Sequence, residues 1–182
     1  MDRLNTEKYI LYILNHLPPG KSTLFYLNKI AFLVEFSYRY FNEKDLSTAH
    51  YAAITYGPVI DDYELILKSM QKKGLIKIQG NNIRVVTTEE VKLPREVDAF
   101  AMPLIQKYSS LSWPELKAIT HDMDSYKITT DNEKFRGRRI DKDLASLETF
   151  FDNGQNSDEP TKLPSFDRKN LVDYEFGSNI QN

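Results

Sequence analysis

The chain of 182 residues contains no cysteine, and this absence excludes several kinds of site. Disulfides, thiolate metal ligands and thiol nucleophiles all require a cysteine side chain. Histidine is also scarce: His16, His50 and His121 are scattered, and none has a second histidine at a metal-ligand spacing. We therefore expect no metal site.

Motifs for phosphate binding and nucleophilic catalysis are also missing. The sequence has no Walker motif, no glycine-rich phosphate loop and no serine nucleophile elbow. His121 and Asp122 are adjacent, but neighbours in a chain usually point apart, so they do not form a ready catalytic dyad. We predict a protein that is not an enzyme and that binds no cofactor.

The chain also lacks long apolar runs and an excess of positive charge. Runs such as residues 10–14 fall far below the ~20 apolar residues that span a bilayer. The first residues lack the basic and then apolar layout of a signal peptide. We therefore expect a cytoplasmic protein with no membrane partner. A formal net charge of −2 creates no overall attraction for nucleic acid, so we do not expect DNA as a partner.

Helical periodicity dominates what is present. Apolar spacing predicts helices over about 6–17, 22–41, 60–73, 94–108, 112–120 and 140–151. The second of these is apolar around most of its circumference, which predicts a buried central helix. Pro103 is expected to kink or split the fourth. Residues 48–55 are compatible with a helical turn that leads to a short strand, but the pattern does not decide this.

A β-hairpin is predicted over residues 76–85. Isoleucine and valine alternate with polar residues on both sides of a Gly80-Asn81 turn. We therefore predict a mainly α fold with a small β-hairpin (α+β class) and a winged-helix-like helical core. This outline favours an alternative function, a winged-helix DNA-binding transcriptional regulator, although the hairpin tip carries no charge for phosphate contact.

The composition shifts after residue 153. Residues 154–160 have the composition of a linker, and the polar segment that follows carries scattered apolar side chains. We predict one domain over 1–153 and a C-terminal extension over 154–182. The extension either folds upon a partner or packs on its own domain. Its candidate partner-binding residues are Phe166, Leu171, Tyr174 and Phe176.

A basic cluster with an interleaved aromatic residue lies between Lys134 and Lys142. A solvated loop explains such a cluster without any function. The alternative is a surface for nucleic acid or for an acidic partner. The candidate nucleic-acid patch consists of Arg136, Arg138 and Arg139.

Three short segments carry a further signal when they are taken together. The first is Leu27-Asn28-Lys29-Ile30, the second contains Tyr56-Gly57-Pro58-Val59, and the third is Thr120-His121-Asp122 after a short helix. In this order, over about residues 24–128, they resemble the Panacea domain, which is the SocA-like or GepA-like antitoxin domain. The family has a Trp a few residues after the His–acid pair, and Tyr126 falls near that position.

The resemblance implies a function that composition alone does not. Such a chain would be the antitoxin of a type II toxin–antitoxin system, of bacterial or phage origin, that neutralises a cognate protein toxin by direct binding. Some family members are similar to SocA in delivering the toxin to a protease, which makes a protease a further implied partner. Family members are paired with toxins of unrelated folds, so the toxin's identity does not follow.

The motif residues are candidates for structural or toxin-binding roles: Lys29, Tyr56, Gly57, Pro58, Val59, His121 and Asp122. Gly57 and Pro58 either set a turn that aims the next helix or present backbone to the toxin. His121 with Asp122 either anchors the motif loops through hydrogen bonds or recognises the partner. Lys29 is expected to snorkel or to pair with an acid, and to organise the core.

Overall fold

The computed structural model describes residues 3–88 and 90–152. Its elements in chain order are α1 (Thr6–His16), α2 (Leu24–Asn42), β1 (Tyr51–Ile54), β2 (Gly57–Ile60), α3 (Tyr63–Lys72), β3 (Ile76–Gln79), β4 (Asn82–Val85), α4 (Arg95–Ser109), α5 (Trp113–Asp122), α6 (Asp124–Thr130), β5 (Arg138–Ile140), a 3₁₀ helix (Lys142–Leu147) and α7 (Thr149–Asp152). The fold is mainly α, as the sequence predicted, with small antiparallel sheets. The extension over 154–182, with Phe166, Leu171, Tyr174 and Phe176, lies outside the described residues.

Helix α2 is the centre of the fold. The Thr23 side chain caps its first turn, and Glu43, with a φ of 55°, ends it. Every residue from Tyr26 to Ser37 is buried, which confirms the predicted central helix. Helices α1, α4 and α5 and strand β2 pack around it. Within the described chain no helix combines the length and the apolar character needed to cross a bilayer.

A three-stranded sheet lies against α2, and the sequence did not predict it as a sheet. Strand β1 is central and pairs in antiparallel fashion with both β2 and β5. Tyr56–Val59 was expected to be a turn, but the turn is Thr55-Tyr56, and Gly57 already belongs to β2. All four β2 residues are buried, so the strand shows no alternation that a sequence pattern could reveal.

The predicted final helix over 140–151 is wrong. Strand β5, the 3₁₀ helix and α7 share this segment, and the buried side chain of Glu148 explains the break. Its carboxylate accepts the backbone N–H groups of Asp124 (3.0 Å) and Ser125 (2.9 Å), at the start of α6. The Asp124 carboxylate in turn accepts from Thr149 N (2.8 Å). This reciprocal capping fixes two helix starts and interrupts a continuous helix.

The predicted hairpin is confirmed as β3 and β4, with Ile78 opposite Ile83. Its turn is tied to the start of α2, because Leu24 N donates to Asn81 O (2.9 Å) and Ile83 N donates to Ser22 O (2.8 Å). The winged-helix similarity is not confirmed. Helix α4 runs through Pro103 without splitting.

Candidate functional site

Three elements bring motif residues to one point beside Gly57. Lys29 lies on α2, Gly57 begins β2, and His121 lies in the last turn of α5. Gly57 has a φ of +91°, which L side chains rarely adopt. A Cβ placed there would lie 2.9 Å from His121 Nε2 and 3.0 Å from Lys29 Nζ. The two side chains therefore fill the space that only glycine leaves.

Lys29 is buried, with 1 % of its surface exposed. Its Nζ donates a hydrogen bond to the Pro58 carbonyl oxygen (2.8 Å) and fastens β2 to α2. Within residues 3–88 and 90–152 no carboxylate pairs with it, so the expectation that it snorkels or binds an acid is wrong. Burial, and then the positive charge of Lys117, lower the pKa of Lys29 well below 10.5.

His121 is held on two sides. Its Nδ1 lies 2.7 Å from Glu133 Oε1, and its ring centroid lies 4.6 Å from that of Tyr126. Tyr126 therefore packs against the imidazole, and its hydroxyl donates to the Ile54 carbonyl oxygen (2.8 Å). Burial raises the pKa of the Tyr126 hydroxyl to about 12. We call Lys29, Gly57, His121 and Glu133 the signature cluster.

The protonation pattern of His121 follows from its neighbours. Because Nδ1 faces a carboxylate, Nδ1 carries the proton in the neutral ring and Nε2 is left as an acceptor. Burial lowers the pKa of His121 below 6.5, and the hydrogen bond to Glu133 opposes that shift. The hydrogen bond from His121 also lowers the pKa of Glu133. The site therefore favours a neutral imidazole beside an ionised carboxylate.

His121 Nε2 is covered by the protein. The atom is buried and has no hydrogen-bond partner in the described part of the chain. It lies against Gly57, with Lys29 on the same side. The ring nitrogen that would act as a general base therefore faces backbone rather than a cleft. The signature cluster as a whole joins α2, β2 and α5 to the segment that carries Glu133.

Two features of this site could not be predicted from the sequence. Glu133 was not predicted, because it lies twelve positions after His121, outside any helix, and no motif or periodicity links the two. Asp122 was named, but it is exposed and pairs with Lys127 rather than with His121. Of the other motif residues, Val59 is buried and Tyr56 is half-buried.

The elements that meet at Gly57 contain the segments that carry the family resemblance. The family described as antitoxin SocA-like, Panacea domain, matches residues 27–127, which is more than half of the chain. The chain belongs to this family. No curated protein and no solved structure matches it. The match covers Lys29, Gly57 and His121 of this Panacea domain and ends before Glu133.

The three arginines of the candidate nucleic-acid patch of the Panacea domain differ in their contacts. Arg139 binds the Asp61 carboxylate through Nε (3.2 Å) and Nη2 (3.0 Å). The guanidinium of Arg138 lies over the Phe135 ring, 3.9 Å from its centroid, and Arg136 is exposed. Acidic side chains therefore lie within the same surface, which weakens its attraction for phosphate.

Two depressions in the surface of the Panacea domain are lined by residues outside the signature cluster. One depression of about 520 Å³ is lined by Thr6 and Leu65, and another of about 500 Å³ by Arg39 and Asp143. Among the described residues, no group of three or more His, Asp or Glu side chains is arranged to hold a metal.

Acidification is expected to destabilise the Panacea domain through His121. Its pKa is lower in the folded protein, so the unfolded chain binds more protons between that value and 6.5. The free energy of unfolding should fall as the pH drops through this window, by at most about 1.4 kcal/mol per pH unit for one proton. Urea unfolding between pH 7.5 and about 5.5 measures it, with His121→Gln for comparison.

The comparison with His121→Gln isolates the contribution of the imidazole. The carboxyl groups of Glu35 and Glu148, whose pKa values are raised by burial, also titrate above 4.5, but they do so in both proteins and cancel. The stability difference between wild type and His121→Gln should shrink as the pH falls. A difference that stays constant across the window would contradict the neutral imidazole.

Proposed function

We propose that this Panacea domain is the antitoxin of a type II toxin–antitoxin pair, and that it neutralises its cognate toxin in the cytoplasm by direct, non-covalent binding. The observation that supports this proposal is the match to the SocA-like antitoxin family over residues 27–127. The family suggests an antitoxin role without catalysis and a toxin as the partner. The toxin's chemistry is outside the proposal, because the match does not carry it.

The geometry of the signature cluster supports a binding role. The reactive groups that it contains, the Lys29 amine and His121 Nε2, are both buried against protein atoms. Their contacts hold β2 against α2 and α5. We propose that the motif residues fix the frame of the domain and that the toxin docks on surfaces which this frame displays.

The alternative function, a DNA-binding regulator, gains no support from a specific contact. The hairpin tip, Gly80-Asn81-Asn82, is uncharged and is tied to the start of α2 through Leu24. Arg139, one of three candidate phosphate contacts, is already paired with Asp61. We therefore propose no second function.

Co-expression tests the proposal. The probe is the protein encoded by the reading frame next to the gene of this chain, produced alone and then together with the chain. We expect growth arrest by the neighbour alone, full growth on co-expression, and a complex of the two on size-exclusion chromatography. A neighbour that arrests growth regardless of this chain, or one that is harmless alone, contradicts the proposal.

The same assay tests the C-terminal extension. We propose that its apolar residues, Phe166, Leu171, Tyr174 and Phe176, add to the toxin interface. A chain that ends at residue 153 should then bind the neighbouring protein more weakly than the full chain does. Equal affinity removes the extension from the interface. Loss of toxin protein on co-expression would indicate that a protease takes part, as the family resemblance implies for some members.

A further inference from the structure

We propose that the segment from Asp131 to Arg138, the 131–138 loop, is the surface through which the Panacea domain contacts an acidic face of its toxin, with Phe135 as the central anchor. This inference rests on the proposed antitoxin function and adds the place and chemistry of the contact. It follows from the loop's fixed shape, its attachment to the signature cluster, and the side chains at its tip.

The 131–138 loop has a defined backbone shape. Asp131, Asn132 and Glu133 have φ values of 47°, 53° and 71°, three consecutive non-glycine residues in the left-handed region. Such residues cost free energy and persist where the surroundings over-determine them. Here the hydrogen bonds from Asn132 N to Lys127 O (3.0 Å) and from Phe135 N to Thr130 O (2.8 Å) hold the turn.

The loop is anchored near its middle and at its far end. Glu133 binds His121 of the signature cluster, and Gly137 N donates to the Ala53 carbonyl oxygen of β1 (2.6 Å). The buried motif residues therefore position an exposed segment that lies beyond the family match. A loop held in one conformation before binding loses less conformational entropy when a partner docks.

The tip of the loop presents side chains that are typical of protein interfaces. Phe135 is 45 % exposed, and the Arg138 guanidinium lies over its ring, 3.9 Å from the centroid. Phenylalanine and arginine are both enriched in the cores of protein interfaces, where the ring supplies apolar area and the guanidinium supplies directed hydrogen bonds. An exposed ring that already lies against a guanidinium is suited to burial by a partner.

The charges at the tip indicate what kind of partner fits. In the described part of the chain, Arg136 and Arg138 form no ion pair, whereas Lys134 pairs with Asp131 and Arg139 pairs with Asp61. The Arg138 guanidinium therefore lies against one exposed aromatic ring without a carboxylate partner, whereas the charge of Arg136 also acts on the Glu133 carboxylate of the same loop. The complementary surface is an apolar pocket rimmed by carboxylates on a protein. A phosphate backbone fits less well, because it offers no apolar pocket for the exposed Phe135 ring.

Other exposed apolar residues lack this combination. Leu65 is more exposed, at 66 %, but single exposed aliphatic side chains are ordinary on protein surfaces. Phe41 packs against Phe100 and Phe151, and Trp113 packs against Phe25. The 131–138 loop alone joins an exposed ring, an unpaired guanidinium and a fixed backbone among the described residues.

Two substitutions test the contact. Phe135→Ala removes the anchor and Arg138→Glu reverses one free charge; Leu65→Ala and Arg84→Glu are matched changes on α3 and on the exposed face of β4. The probe is the growth-arresting protein from the neighbouring reading frame, titrated calorimetrically at low and high salt. We expect each loop variant to raise Kd at least ~10-fold, and each control to stay within about 2-fold of wild type. Arg138→Glu should also reduce the salt dependence.

The outcomes separate this inference from the proposed function. If wild type binds the neighbouring protein and both loop variants bind equally well, the loop assignment is overturned and the antitoxin proposal stands. If wild type itself does not bind, the proposed function fails. Retained toxin binding by Arg138→Glu together with lost binding to duplex DNA would assign the loop to nucleic acid. We expect both loop variants to melt at temperatures close to that of wild type, since both side chains are exposed. If Phe135→Ala does not fold, the toxin affinity of Arg138→Glu tests the loop assignment.

Discussion

Glu35→Ala is expected to lower the free energy of unfolding by about 3–5 kcal/mol, the range for breaking a buried ion pair from one side. The Glu35 carboxylate is fully buried and accepts hydrogen bonds from Ser47 Oγ (2.6 Å), Lys142 Nζ (2.7 Å) and Leu46 N (3.1 Å). Alanine would leave the Lys142 ammonium, only 12 % exposed, without its carboxylate partner. Urea denaturation followed by circular dichroism measures the loss.

Two further variants give this prediction its controls. Glu35→Gln keeps an acceptor of the same shape and removes the charge, so it should lower the free energy of unfolding less than Glu35→Ala does. Asp143→Ala removes an ion pair with Arg39 whose carboxylate is largely exposed, and such pairs contribute about 0–1 kcal/mol. If Glu35→Ala lowers the free energy of unfolding no more than Asp143→Ala does, Glu35 does not join α2 to the 3₁₀ helix and to the segment before β1.

Gly57→Ala is expected to lower the free energy of unfolding by about 2–5 kcal/mol. Left-handed backbone at a residue with a Cβ costs about 1–2 kcal/mol, and forcing an extra methyl into packed surroundings costs about 1–3 kcal/mol more. The methyl would meet His121 Nε2 and Lys29 Nζ at about 3 Å. Thermal and urea unfolding measure the change.

Gly74→Ala is the matched control for Gly57→Ala. Gly74 also has a positive φ, +72°, but a Cβ there would meet nothing within 4 Å. Gly74→Ala should therefore lower the free energy of unfolding by the backbone cost alone. The difference in unfolding free energy between the two variants then gives the cost of crowding the signature cluster. Equal losses of stability would show that Gly57 is required only for its backbone angles, and that His121 and Lys29 do not press against it.

Sequence analysis predicted the parts of the fold that local patterns determine. The apolar spacing of α2 and the Gly80-Asn81 turn of the hairpin depend on neighbouring residues, and both are confirmed. The sheet of β2, β1 and β5 depends on pairing Tyr51 with Ile140, 89 positions apart in the sequence, which no local pattern contains. The predicted last helix failed for the same reason, because Glu148 caps a distant helix.

The candidate site was predictable to a similar extent. Lys29, Gly57 and His121 were named from the family resemblance, and the structure brings them together. Their contacts could not be predicted: Lys29 binds a carbonyl oxygen rather than an acid, and the partner of His121 is Glu133 rather than Asp122. Glu133 reaches His121 only through a turn of left-handed non-glycine residues, for which the sequence gives no signal.

The proposed antitoxin function requires that this Panacea domain act by occupying its toxin and not by changing it chemically. The most direct measurement is a titration of the purified neighbouring toxin's activity against increasing amounts of the purified chain. The account predicts a loss of activity that is linear in added chain, complete at a fixed molar ratio, and reversed when the complex is separated under denaturing conditions and the toxin is refolded. Complete inactivation by far less than one chain per toxin, or a toxin whose mass has changed, would contradict it.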